Sequence, residues 1–252
     1  MDYKKIIACM DIKNGKVVKG VRFEDVRAIE DPVALASYYN DSGADELVFY
    51  DIAASVENRR SLADVIIKAA GGVSIPFTIG GGIQTADDID FAFSLGADKV
   101  SINTGALRDP RFIGKAAETY GSKRVTLAMD VKRSNGKFHV FTKAGVEDTG
   151  VDALYWARFC EENGAGELVV NSIDTDGVRG GFDLELLAAI CERVNIPVVA
   201  SGGAGCTEHF LSLFNTIPGV TAGLAASIFH LKEIEISVLK QYLRSNGVEV
   251  RM

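Results

Sequence analysis

The feature that most constrains this chain is that its second half repeats its first. SGADELVF at 42–49 returns as NGAGELVV at 163–170, and IPFTIGGGI at 75–83 returns as IPVVASGGA at 196–204, both displaced by 121 residues. CMDIKNGK at 9–16 returns as AMDVKRSNGK at 128–137, which sets Asp11 and Asp130 119 residues apart. LGADKVSINT at 95–104 faces IPGVTAGLAAS at 217–227 more loosely. Order is kept and spacing nearly so, the mark of one supersecondary unit used twice.

The unit itself is β then α. Strand-like runs lie at 5–11, 46–52, 75–80, 98–103, 124–130, 167–173, 196–201 and 220–226. Helical stretches lie between them, at 31–43, 86–96, 109–121 and 151–164 among others. The first of these has Pro at its opening turn and Gly at its end, as a helix prefers. Alternating strands and helices build parallel βα units. Eight such units in 252 residues close most economically as a single (β/α)8 TIM barrel. The expected domain is 1–252, with half-barrels of about 1–122 and 123–252. A doubly wound open sheet is the alternative, and it lacks the early GxGxxG turn after a strand.

Composition narrows the function. The 27 Lys and Arg against 34 Asp and Glu leave a formal charge of −7, which argues against general nucleic-acid binding but not against a local basic pocket for a phosphorylated substrate. No apolar run approaches a membrane span, and the first residues lack a signal-peptide core, so a cytoplasmic protein is expected. Cys9, Cys160, Cys191 and Cys206 stand far apart with no ligand spacing, so neither a metal nor a cofactor is expected. His139, His209 and His230 are scattered and make no triad with a serine, and Tyr155, Trp156 and Phe159 read as packing residues of a helix.

In this barrel the chemistry sits where the strands end. Asp11 ends the first strand and Asp130 the fifth, so the two carboxylates should face each other across one mouth, suited to acid–base work on a substrate between them. The plainer alternative is a loop cap or a pair with Lys13 or Lys132. Gly80-Gly81-Gly82 follows the third strand and Ser201-Gly202-Gly203 the seventh. Asn103-Thr104 and Ala226-Ser227 end the fourth and eighth. Glycine turns let backbone N–H groups approach a phosphate, and the loops after strands seven and eight are the fold's usual phosphate site. The repeat then implies a second site after strands three and four, hence a long substrate with a phosphate at each end. Tight turns with no ligand are the alternative. Lys19, Asp51, Asp176 and Gly177 lie on the same rim.

The runs IIACMDIKNGKVVKG, FTIGGGI, DKVSINT, SIDTDG and ASGGAG with LAASIFH resemble the cyclase subunits of imidazole glycerol phosphate synthase, over essentially the whole chain. The sister isomerase barrel of histidine biosynthesis shares the two-aspartate, two-phosphate plan, but its first-strand motif leads from Asp-Leu to an Arg-containing segment. The resemblance implies a cyclase and lyase that takes ammonia from a glutaminase partner. With it, phosphoribulosyl-formimino-aminoimidazole carboxamide ribonucleotide becomes imidazole glycerol phosphate and aminoimidazole carboxamide ribonucleotide. It places the catalytic pair on Asp11 and Asp130, and substrate contacts on Lys19, Asp51, Asn103, Thr104, Asp176 and Ser201. Tyr50, Ala53, Ala144 and Asn171 depart from the family's usual residues and bear on substrate contacts. A sugar-phosphate isomerase, a barrel delivering ammonia to another acceptor, and a non-catalytic activator of a glutaminase are the competing readings. Retention of both aspartates argues against the last.

Alternation along the strands sets residues of the same parity as the two aspartates inside the barrel. These include Cys9, Val48, Thr78, Ser101, Thr126, Ala128 and Val169, so the interior is expected to be small and partly polar. At the bottom Glu46 and Glu167 are repeat partners, and Lys5 and Lys99 can face them. Solvated charges at strand ends are the plain reading. With the resemblance, these four are expected to gate ammonia entry, with Asp98 near the partner's docking surface.

Overall fold

The computed structural model describes residues 3–21, 24–52, 56–143 and 145–252, the side chains of 19–21, 24–29 and 56–62 excepted. The first half runs β1 (Lys5–Lys13), β2 (Lys16–Val21), β3 (Glu24–Glu30), α1 (Pro32–Asp41), β4 (Glu46–Asp51), α2 (Val56–Ala70), β5 (Phe77–Gly80), α3 (Ala86–Ser94), β6 (Lys99–Ile102), α4 (Thr104–Arg108) and α5 (Arg111–Tyr120). The second half repeats that order as β7 (Val125–Ser134), β8 (Lys137–Thr142), β9 (Glu147–Asp152), α6 (Ala153–Glu162), β10 (Glu167–Ser172), α7 (Leu184–Cys191), β11 (Val198–Ser201), α8 (Thr207–Thr216), β12 (Val220–Ala225), α9 (Ser227–His230) and α10 (Ile236–Ser245).

Eight strands, β1, β4, β5, β6, β7, β10, β11 and β12, pair in parallel and close into a barrel, each with a barrel neighbour on both sides. The fold is a (β/α)8 barrel of two like halves, not an open sheet. The repeat reaches single caps. Asp31 Oδ1 accepts from the N–H groups of Val33 and Ala34 at the start of α1, and Asp152 does the same for Leu154 and Tyr155 at the start of α6.

Successive strand residues point to opposite faces, which sorts the core into two shells. Ile6, Ala8, Met10, Leu47, Phe49, Leu127, Met129, Leu168 and Val170 face outward under the helices. Ile7, Cys9, Val48, Val169, Val199, Ala222 and Leu224 pack together inside the barrel. Thr78, Ser101 and Thr126 are buried on the same inward face, so the interior is partly polar, as expected. Ile7, Val199 and Leu224 share the inward parity and add aliphatic bulk to that lining. Burying each such aliphatic is worth about 1.5–3 kcal/mol.

One feature stands outside the βα plan. β1 and β7 run past the barrel rim and turn back as hairpins, β1 with β2 and β3, β7 with β8 and β9. The tight turns are Asn14-Gly15 (φ 51° and 74°) and Asn135-Gly136 (φ 50° and 76°), repeat partners again. An Asn-Gly pair with both φ positive matches the twist of two antiparallel strands.

Candidate active site

The hairpins rise beside a cavity of about 640 Å³ at the carboxyl ends of the barrel strands, and nearly every candidate from the sequence lines it. Asp11 and Asp130 both do, from β1 and β7, which stand opposite each other in the barrel. Asp51, Gly81, Gly82, Asn103, Thr104, Asp176, Gly177, Ser201, Gly202, Gly203, Ala226 and Ser227 share the lining. Lys19 lies on β2, its side chain outside the described residues, and Ala53 and Ala144 lie outside them altogether.

Asp130 is gripped. Asn103 Nδ2 donates to its Oδ2 at 2.9 Å and Asn171 Nδ2 to its Oδ1 at 3.0 Å. Asn171 Oδ1 in turn accepts from Ser201 Oγ at 3.0 Å, so three strands fix one carboxylate. Burial pushes the Asp130 carboxyl above the ordinary aspartate range. The two amides oppose the shift, and the charge of Asp176 adds to it. A carboxyl held in that way is suited to give up a proton during a reaction rather than before it.

The two glycine turns are built alike. Gly81 (φ +85°) lies against the backbone of Asp51, and a Cβ there would run into that residue's carbonyl oxygen. Its repeat partner Gly202 (φ +88°) lies against the backbone of Ser172, the repeat partner of Asp51, at 2.7 Å from a would-be Cβ. The left-handed backbone and the close approach both require glycine. Next along each turn are Gly82 (φ +69°) and Gly203 (φ +101°). Asn103 and Ala226, which precede α4 and α9, share an uncommon backbone shape, with φ −127° and ψ −96° in one and φ −123° and ψ −75° in the other. The mouth thus has matched backbone concavities on opposite sides. One N–H of the Asn103 amide is taken by Asp130, which leaves its second N–H and its backbone for an anion in that concavity.

The floor is closed by charge. Lys99 Nζ lies 2.7 Å from Glu46 Oε1 and 2.6 Å from Glu167 Oε1, and Lys5 Nζ is 3.9 Å from Glu46 Oε2. Thr78 and Thr126 hydroxyls donate to Glu46 and Glu167. Burial alone would depress the Lys99 ammonium, but Glu167 and then Glu46 outweigh it, and the net shift is upward. Lys99 is the centre of this cluster, while Lys5 is 38% exposed and, among the described residues, touches one glutamate. Asp98 is exposed beside it, its Oδ2 accepting from the Phe77 N–H.

Several lining residues carry no signal in the sequence: Gln84, Arg108, Lys143 and Arg179. Arg108 is held by Gln84 at 2.6 Å and Arg179 by Glu233 at 3.0 Å. Asn171 had a readable signal, since it follows Glu167 and Val169 in inward parity. The histidines lie elsewhere, with His230 against Tyr39, His139 against Asp148, and His209 accepting from the Gly205 N–H. Trp156 is buried as expected, whereas Tyr155 is 63% exposed because its turn of α6 faces away from the barrel. Among the described residues no group of three or more His, Cys, Asp or Glu could hold a metal ion, and no helix is long and apolar enough to cross a membrane.

These features define a (β/α)8 barrel of two like halves, each giving its mouth one strand-end aspartate and one glycine turn. The histidine biosynthesis protein family model matches residues 5–235, and the chain belongs to that family. Similar relatives are imidazole glycerol phosphate synthase subunit HisF from Saccharolobus solfataricus, 52% identical over 252 residues and the full length of both chains, and the protein of the same name from Metallosphaera sedula, 49% identical over 251. The Oceanobacillus iheyensis HisF is 49% identical over 249 residues, covering 98% of this chain and 97% of its own.

Proposed function

We propose that the chain is the cyclase subunit of an imidazole glycerol phosphate synthase. It uses ammonia to convert phosphoribulosyl-formimino-aminoimidazole carboxamide ribonucleotide into imidazole glycerol phosphate and aminoimidazole carboxamide ribonucleotide. The observation that carries this reading is the mouth itself: Asp11 and Asp130 on opposed strands, flanked by two glycine turns built on the same backbone contacts. A substrate with a phosphate at each end fits such a mouth. One phosphate would lie on Gly81, Gly82, Asn103 and Thr104, the other on Gly177, Gly202, Gly203, Ala226 and Ser227. The reacting centre would then lie between the aspartates, with Asp51, Asp176, Ser201 and Lys19 around it.

Asp130, its carboxyl raised above the ordinary range by burial, donates a proton to the ribulosyl carbonyl oxygen as ammonia adds. Asp11 moves protons during ring closure and cleavage. Ammonia comes from a glutaminase subunit docked on the opposite face, past Asp98, and Lys5, Glu46, Lys99 and Glu167 gate its entry into the bore. The test is turnover of the doubly phosphorylated substrate with ammonium salt. Release of both imidazole products supports the cyclase. Isomerisation of a sugar phosphate without nitrogen uptake would identify the sister activity instead.

A further inference from the structure

The two halves surround their aspartates differently. Tyr50 and Asn171 are repeat partners, 121 residues apart, and each stands beside its half's aspartate in the strand register, Tyr50 opposite Asp11 and Asn171 opposite Asp130. On the next strand the partners are Gly80 and Ser201. In the second half polar groups run in series from Ser201 through Asn171 to Asp130. In the first half the place of Ser201 has no side chain, and a Cβ on Gly80 would run into Cδ1 and Cε1 of the Tyr50 ring. The ring therefore lies across β5, and its hydroxyl meets Ser101 Oγ on β6 at 3.2 Å.

That pair occupies the junction of bore and mouth. Tyr50 is level with Asp11, and Ser101 stands on its strand between Lys99 of the floor and Asn103 of the mouth. Around it the bore is apolar, with Ile7, Cys9, Val48, Val169, Val199 and Leu224 packed as one cluster that the Tyr50 ring joins. Tyr50, Ser101, Cys9, Val169 and Leu224 all line the cavity. The two hydroxyls have each other as partners and line the cavity, and each keeps capacity for one more hydrogen bond to a polar visitor.

We propose that the Tyr50–Ser101 hydroxyl pair binds ammonia at the top of the bore and presents it to the carbon between the aspartates. The proposal rests on the reading that ammonia rises from the floor. One hydroxyl donates to the ammonia lone pair and the other accepts an N–H. Burial pushes the phenol well above its ordinary range, Cys9 adds to this, Ser101 opposes it, and the charges of Asp130 and Asp11 add further. A phenol so held gives a hydrogen bond without giving up its proton, so the visitor stays nucleophilic ammonia.

The experiment uses the full chain in complex with a glutaminase subunit. Tyr50→Phe keeps the ring over Gly80 and removes only the hydroxyl, and Ser101→Ala removes the other. Each is expected to raise the KM for ammonia roughly 3- to 10-fold, the worth of one neutral hydrogen bond, with kcat nearly unchanged. Each should also make the complex consume more than one glutamine per imidazole product. Parental KM and one-to-one coupling in Tyr50→Phe would show that the ring is filler. A fall in kcat at unchanged KM would mean that the pair acts on the aspartates, which also overturns the proposal. A parent that makes product from ammonium salt but shows no coupling to glutamine removes the bore reading; one that makes none removes the cyclase reading.

Discussion

Asp11 and Asp130 hold equivalent positions, and amides of Asn103 and Asn171 donate to the two oxygens of Asp130. Replacing either aspartate by Asn keeps the shape and removes the titrating group. Each variant is expected to lose roughly 10²- to 10⁴-fold in turnover with ammonium salt, the range of a general acid or base. Near-parental rates in both would end the paired-aspartate mechanism. Asp130 also predicts a pH dependence of stability. Its folded value is raised, so its contribution is fully present below the ordinary aspartate value and is lost as pH rises through the folded one. The melting-temperature difference between parent and Asp130→Asn should therefore move in the variant's favour as pH rises from acid, and a difference flat with pH would contradict the raised value.

At the scale of elements, the turns carry the constraint. Gly203 (φ +101°) sits against the Gly181 carbonyl and Thr175 Cβ, so Gly203→Ala meets both a left-handed backbone and a clash. A loss of about 1–2 kcal/mol is expected from backbone alone, read by denaturant melting, with weaker substrate binding as well. Gly247→Ala, at φ +84° in open space, separates the two effects because it has the strain without the clash or the mouth. The floor is a second such element. Lys99→Ala should leave turnover with ammonium salt largely intact while glutamine-dependent turnover falls roughly tenfold, a change of about 1.4 kcal/mol. Equal loss in both assays would show that the cluster supports the fold and is not a gate.

At the scale of the whole molecule, the chain's end is pinned to its beginning. Lys240 of α10 lies 2.8 Å from Asp45, both nearly inaccessible, while Asp45 Oδ2 accepts from the Ile6 N–H at 2.8 Å. Lys4 N–H donates to Glu249 O at 2.8 Å beside them. Removing Lys240 leaves the buried Asp45 facing the half-exposed Arg251, whose Nε is 3.7 Å from Oδ1, so Lys240→Ala should cost about 3 kcal/mol in equilibrium unfolding. A change below about 1 kcal/mol would show that Arg251 or water compensates Asp45 once Lys240 is gone.

The half-length repeat, the eight βα units and the strand-end aspartates and glycines follow from sequence alone, because parity and spacing are local properties that survive folding unchanged. Asn14-Gly15 and Asn135-Gly136 are equally local signals of the rim hairpins, masked by a βα rhythm that accounts for the flanking strands without them. The grip of Asn103 and Asn171 on Asp130, the reach of Tyr50 over Gly80 to Ser101, and the grouping of Lys99 with Glu46 and Glu167 are of another kind. Each joins residues from different strands, 27 to 68 positions apart where a hydrogen bond makes the link. Which side chains meet there depends on the register and stagger at which the barrel closes, and on the space that a missing Cβ leaves, quantities that exist only once all eight strands are in place.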